Sequence, residues 1–293
     1  MGDLGISFEN QKYHKRLLSD REGNELIGEF LKSNHPFLAS KVPNLVCYMA
    51  DHFLLRNEPI PDHLKKQALV NMGIYPNDHK SLEKFVLDYI ENLKDVNVMG
   101  VWAVRNYDWL LNTYCPLAHY VKLHSLEPFN FHSNPWSAYL ANKKVLVIHP
   151  FETSVINNYK NRDKLFIGTN VLPEFELKTI KAEQNLSNIN SNYFDSIERT
   201  KNKILDIDDF DVAIVGCGAS GLPLSAFIKR ELNKTAIHMG GVTQILFGIM
   251  GRRWDLYDAK HFVAKNFINE YWSRPLPEET PESFNLVEGG CYW

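Results

Sequence analysis

At 293 residues, with 44% apolar and 23% charged side chains, the chain can bury a full core and has the composition of an ordinary soluble protein. Its formal charge of −3, from 32 basic and 35 acidic residues, leaves no polybasic footprint and argues against nucleic acid as the main partner. Cys47, Cys115, Cys217 and Cys291 are scattered without a C-x-x-C pair, so neither a zinc site nor a disulfide framework is indicated.

No apolar run approaches the roughly 20 residues of a membrane span. The opening residues lack a signal-peptide pattern, and Ile6 stands where a myristoylation signal needs Ser or Thr, so the cytoplasm is the expected compartment. From the N-terminus, Glu25 to Leu31, Leu45 to Leu55, His63 to Val70 and Leu82 to Leu93 carry apolar residues at helical spacing. Residues 1–95 therefore read as a mainly helical part packed on a core. Asn97 to Val104 reads as a strand, Tyr107 to Thr113 as a short helix and His119 to Leu123 as a short strand. Asn134-Pro135-Trp136 suits a helix start, with Asn as cap and Pro at the first helical position.

From Lys144 the pattern alternates strictly between strand and helix. Val145 to Ile148 is a continuous apolar run, as expected of a strand covered on both faces, and a helix follows to about Lys160. Phe175 to Ile180 and Tyr193 to Ile204 are the next strand and helix, separated by a polar stretch, Ala182 to Asn192, expected to be a mobile surface loop. Asp211 to Val215, Leu222 to Leu232, Thr235 to His238 and Val242 to Phe247 complete the series. Such a series predicts an α/β, Rossmann-like doubly wound, mainly parallel sheet over residues 96–273, with ligands gathering beyond the C-terminal strand ends. The tail, 274–293, is rich in Pro and Glu and reads as extended, with Tyr292 and Trp293 packing back on the body.

The strongest motif is Asp211-Val-Ala-Ile-Val-Gly-Cys-Gly-Ala-Ser-Gly221. Gly216, Gly218 and Gly221 fit G-x-G-x-x-G between a strand and a helix, where backbone N–H groups and the helix dipole can meet a phosphate. The same glycines would also serve close packing alone, and both readings stand. A dinucleotide site wants an acid about 20 residues on; His238-Met-Gly-Gly241 occupies that place, which favours a mononucleotide or a nucleotide-sugar diphosphate over NAD. Ser220 does not fit a nucleophile elbow, since G-x-S-x-G spacing fails, and a hydroxyl there suits phosphate binding. Cys217 reads as a small space-filling residue. His238, Gly240 and Gly241 end the second strand, and Arg252 and Arg253 follow Gly251, where guanidinium forks match phosphate oxygens or merely cap a solvated helix end. His149 at a strand end suits a general base, a phosphate donor or a turn cap. Glu174 and Glu176 share one strand face and suit base or metal work, with solvated acids as the alternative.

The C-terminal half resembles a family of proteins encoded in bacterial capsule and O-antigen gene clusters, similar to glycosyltransferases of the D-type fold. Val147-Ile-His-Pro-Phe-Glu152, Leu172-Pro-Glu-Phe-Glu-Leu-Lys178, Ala213 to Pro223, His238-Met-Gly-Gly-Val-Thr-Gln244, Gly251-Arg-Arg-Trp254 and Val287-Glu-Gly-Gly-Cys-Tyr-Trp293 carry it. The resemblance implies a Rossmann-like domain that takes a sugar from a nucleotide-sugar donor, often with a divalent metal. The implied partners are a nucleotide sugar and a glycan acceptor, with a peripheral position at the inner membrane left open. One departure matters: where the family reads Arg-x-Gly-x-x-Glu or Asp-x-Glu, this chain has Lys41-Val-Pro-Asn-Leu-Val46, so no metal-binding acid carries over. Asp51 is a substitute a turn further on. The expected roles are Glu176 or His149 for the acceptor's proton, the glycine turn with Arg252 and Arg253 for the departing nucleoside diphosphate, and no assigned metal. A non-catalytic scaffold of a polysaccharide assembly complex and another Rossmann-type nucleotide enzyme remain the alternatives.

Overall fold

A computed structural model describes residues 8–183, 191–207, 209–257 and 262–293. The expected surface loop falls mostly on 184–190 and, like Ile6, lies outside the described residues. Seven strands form one sheet: β1 (Leu38–Lys41), β2 (Val98–Val101), β3 (His119–Lys122), β4 (Lys144–His149), β5 (Glu176–Lys181), β6 (Val212–Val215) and β7 (Thr235–His238). Their order is β3-β2-β1-β7-β6-β4-β5, and every neighbouring pair is parallel. The helices are α1 (Asp20–Ser33), α2 (Asn44–Ala50), α3 (Asp62–Met72), α4 (His79–Leu93), α5 (Tyr107–Tyr114), α6 (Glu152–Tyr159), α7 (Arg162–Leu165), α8 (Tyr193–Asp206), α9 (Gly221–Leu232), α10 (Thr243–Leu246) and α11 (Arg252–Asp255).

Both faces of the sheet are covered at its centre, which explains why β4 and β6 read as unbroken apolar runs. Along β4, Leu146 and Ile148 pack with α9 residues such as Leu222 and Ile228, while Val145 and Val147 pack with Val155 and Tyr159 of α6. Local sequence fixes the helix starts. Ser19 and Glu22 make a capping box that begins α1 five residues before its expected start, and the Asn192 side chain accepts from the N–H groups of Phe194 and Asp195 to open α8. The helix expected at Asn134-Pro135-Trp136 is a 3-10 helix, Trp136–Leu140, and the tail is built of 3-10 turns rather than an extended run.

Strand β1 went unforeseen. It lies inside the sheet between β2 and β7, so the sheet begins within the first 95 residues. The two connections that leave β4 and β6 run to opposite faces, α6 to one and α9 to the other. Adjacent strands with divergent exits leave a crevice at their carboxyl ends, and that crevice is the expected ligand position in an open parallel sheet.

Candidate functional site

A cavity of about 140 Å³ sits at that crevice, lined by His149 to Phe151 after β4, Gly216 to Gly218 after β6, Gly241 and Gln244 after β7, and the tail residues Val287, Tyr292 and Trp293. Its far wall is the C-terminal end of α3, Asn71 to Gly73, with Ala182 and Glu183 after β5.

The three glycines of the turn have three different jobs. At Gly216 a Cβ would lie 2.6 Å from Thr243 and 2.7 Å from the His149 ring, and its N–H is spent on Ile148 O at 2.9 Å, so Gly216 serves packing. At Gly221 a Cβ would lie 2.2 Å from Nε2 of His238, so its role is to let α9 sit against β7. Gly218 is different: its φ is +62°, and a Cβ there would meet nothing within 4 Å. A side chain is therefore excluded by backbone conformation and not by crowding. The change of φ from −128° at Cys217 to +62° at Gly218, where the backbone passes into the left-handed region, is the kind of turn whose successive N–H groups can receive an anion. Among the described residues nothing accepts from the N–H groups of Cys217 or Gly218. Burial pushes the Cys217 thiol up to about 12, so it is no thiolate nucleophile.

His149 is buried, and burial pushes it down to about 3, so it is neutral at physiological pH. Its Nδ1 accepts from the Phe151 N–H at 3.0 Å, which places the ring proton on Nε2. A ring in that tautomer donates; it is poorly suited to take a proton. His238 also stays neutral, pushed down to about 3 by burial and then by Lys41. It is fully buried, bonded through Nδ1 to Ser40 Oγ at 2.9 Å, and absent from the cavity wall, so the ring expected at the phosphate site sits behind the cavity under Gly221.

Other expected residues are also displaced. Glu176 pairs in register with Lys144 at the start of β4, whereas His149 pairs with Lys181, so Glu176 lies at the opposite edge of the sheet from the cavity. Glu174 is ion-paired there with Arg162 at 2.8 Å. The Ser220 hydroxyl bonds the phenol of Tyr193 and does not line the cavity. Gly240, at φ +70°, packs on Lys41, while Gly241 packs under the Tyr292 ring. Arg252 donates to Gly289 O at 3.1 Å, and Arg253 pairs with Glu288 and stacks on Tyr292 at 4.8 Å, so both guanidinium groups hold the tail. The N-terminus of α6 is likewise filled: the buried Glu279 carboxylate accepts from Thr153 N at 2.7 Å, Ser154 N at 3.2 Å and the Ser154 hydroxyl.

The carboxylate on the cavity wall is Glu183, which sequence reading passed over; two hydrogen bonds from Arg199, at 2.9 and 2.6 Å, hold it below the usual carboxylate range. The divalent metal implied by the resemblance finds no fit among the described residues, where no three His, Cys, Asp or Glu side chains converge. Asp51, the substitute acid, is buried and engaged by Arg56 at 2.6 Å and Asn106 at 2.7 Å. No helix in the described residues is long and apolar enough to cross a membrane.

Residues 88–246 match the family described as GT-D fold-like domain, a span that runs from within α4 to the end of α10 and covers more than half of the chain. Neither the curated proteins nor the solved structures contain a match. The matched span holds β4, β6 and the glycine turn between their carboxyl ends and α9, and it makes this chain a glycosyltransferase-like protein that belongs to the GT-D fold-like domain family.

Proposed function

We propose that the protein transfers a sugar from a nucleoside diphosphate sugar to a glycan acceptor in the synthesis of bacterial surface polysaccharide, capsule or O-antigen. The observation that carries this reading is the Cys217–Gly218 turn, which lines the same cavity as His149 and whose two N–H groups are unspent among the described residues. In this reading those N–H groups and His149 Nε2–H stabilise charge on the departing diphosphate, where charge builds as the glycosidic bond breaks. Phe151, Tyr292 and Trp293 supply an aromatic wall for the base or the sugar ring. Glu183 takes the acceptor proton. Because Arg199 makes it a weakened base, departure of the nucleotide leads and proton transfer follows. No step is assigned to Glu176, and His149 acts as a donor instead of a base. Catalysis in this reading proceeds without a divalent metal.

A non-catalytic scaffold is favoured by two observations: Glu183 is already bound by Arg199, and Arg253 is turned onto the tail. Thermal unfolding in the presence of UDP-, GDP-, CMP- and dTDP-sugars and NAD(P) separates the readings, because a ligand of the folded state raises the melting temperature by mass action. A rise with one sugar nucleotide, followed by transfer to an acceptor, is the expected result. A shift with NAD(P) alone points to another nucleotide enzyme, and no shift with any of them leaves the scaffold.

A further inference from the structure

Lys41 ends β1, the strand that sequence reading missed. Among the described residues no oxygen accepts from its ammonium, although the side chain is largely enclosed and crosses Gly240, where a Cβ would lie 2.7 Å from Cε and 3.1 Å from Nζ. An unpaired ammonium in such a place is costly, and burial, with Arg253 as second cause, pushes it down to about 8. Two cations thus face the same small region, Lys41 from β1 and Arg253 from α11, and the residue that reaches both electrostatically is Glu288.

Glu288 belongs to a strap, residues 287–293, that closes over the strand ends. Its φ is +46°, a left-handed conformation unfavourable for a residue with a side chain, and it is followed by Gly289 at +70° and Gly290 at +79°. The strap is held further by Arg253 N–H on Cys291 O at 2.9 Å and by Gln244 Nε2 on Tyr292 O at 3.1 Å. Tyr292 lines the cavity and stacks on Arg253, and its ring covers Gly241 next to the Gly240 that Lys41 crosses.

We propose that Lys41 and Arg253 form an anion site beside Tyr292, the residue that also lines the cavity, and that the Glu288 carboxylate is its built-in occupant, which a diphosphate displaces as the strap turns about Gly289 and Gly290. The identity of the displacing anion as a nucleoside diphosphate rests on the function proposed above. The closed strap is then an autoinhibitory contact: each carboxylate-to-phosphate exchange swaps one charge-assisted pair for stronger ones.

The test uses the full chain, titrated calorimetrically with inorganic pyrophosphate and with nucleoside diphosphate sugars, beside hydrogen exchange at 287–293 without ligand. Glu288→Gln removes the charge and keeps the size; Glu288→Gly removes the charge and also suits the left-handed backbone. Both variants are expected to bind pyrophosphate about tenfold more tightly than the parent, and Glu288→Gln to exchange faster at 287–293. Adding Lys41→Met to Glu288→Gln is expected to cancel the gain. Equal pyrophosphate affinity in the parent and both Glu288 variants, a gain that survives Lys41→Met, or unchanged exchange in Glu288→Gln overturns the proposal. Failure of the glycosyltransferase reading looks different: the pyrophosphate gain is kept, while no nucleoside diphosphate sugar binds more tightly than pyrophosphate.

Discussion

Two buried neutral histidines make the fold acid-sensitive in a calculable way. His149 and His238 are both pushed down to about 3, in each case first by burial. In the unfolded chain a histidine titrates near ~6.5. The unfolded state therefore binds more protons between these values, and stability falls as pH drops through that window. Between pH 7.5 and 5.0 each site loses about 1.5 decades of linkage, or about 2 kcal/mol, and the pair loses about 4 kcal/mol. Urea unfolding at the two pH values measures the total. His238→Asn isolates one share: it costs stability at pH 7.5, because ring volume beside Gly221 is lost, but it cannot acquire the buried charge. The fall from pH 7.5 to 5.0 should then shrink by about 2 kcal/mol relative to the parent. If the variant and the parent lose the same stability over that interval, His238 is not held neutral by its surroundings and the reasoning fails.

Gly221→Ala forces a methyl group onto the His238 ring and should cost about 1–3 kcal/mol in unfolding free energy; an unchanged midpoint would show that α9 has room to shift. Arg253→Ala removes a stacked ring contact and a half-exposed ion pair and should destabilise by about 1–2 kcal/mol, whereas Arg252→Ala should fall within about 0.5 kcal/mol of the parent; equal effects in thermal melts would refute the asymmetry. Glu279→Ala should cost about 2 kcal/mol, because two N–H groups of α6 and the Ser154 hydroxyl lose a buried carboxylate. Nucleotide-sugar binding should be the same in chelator and in excess Mn²⁺ or Mg²⁺; a large loss in chelator, restored by metal, would point to Glu183 or Asp51 as ligands.

The alternating half of the chain was legible because each strand is flanked by its own helix and is long enough to show its pattern. β4, β6, α9 and β7 fall within a residue or two of their expected bounds. β1 escaped because it is four residues long and its partners, β2 and β7, lie about 60 and nearly 200 positions away, so its strand character comes from pairing and not from local sequence. The glycine turn was placed correctly, but its division of labour was invisible: only packing against Thr243, His149 and His238 shows that Gly216 and Gly221 are spacers and that Gly218 is open. Glu174 and Glu176 were drawn toward the site although they precede the apolar residues of β5; in a parallel sheet that order puts them at the amino edge. The cavity wall was the least legible part, since Gly73, Glu183 and Trp293 are remote in sequence and meet only when α3, β5 and the tail close over one edge. The signal available for Trp293 was two terminal aromatics, and its ring does pack on Phe151 at 5.8 Å.

The central claim is that the Cys217–Gly218 turn receives the diphosphate of a nucleotide sugar. Titration calorimetry of the parent and Gly218→Val against UDP, GDP and dTDP sugars tests it most directly, with far-UV circular dichroism as the check on folding. A valine there must accept a left-handed backbone and would project over the turn, so the account predicts that one sugar nucleotide binds the parent and loses at least about tenfold in affinity in the folded variant. The same affinity in a folded Gly218→Val protein, or no binding of any member of the panel to the parent, would contradict it.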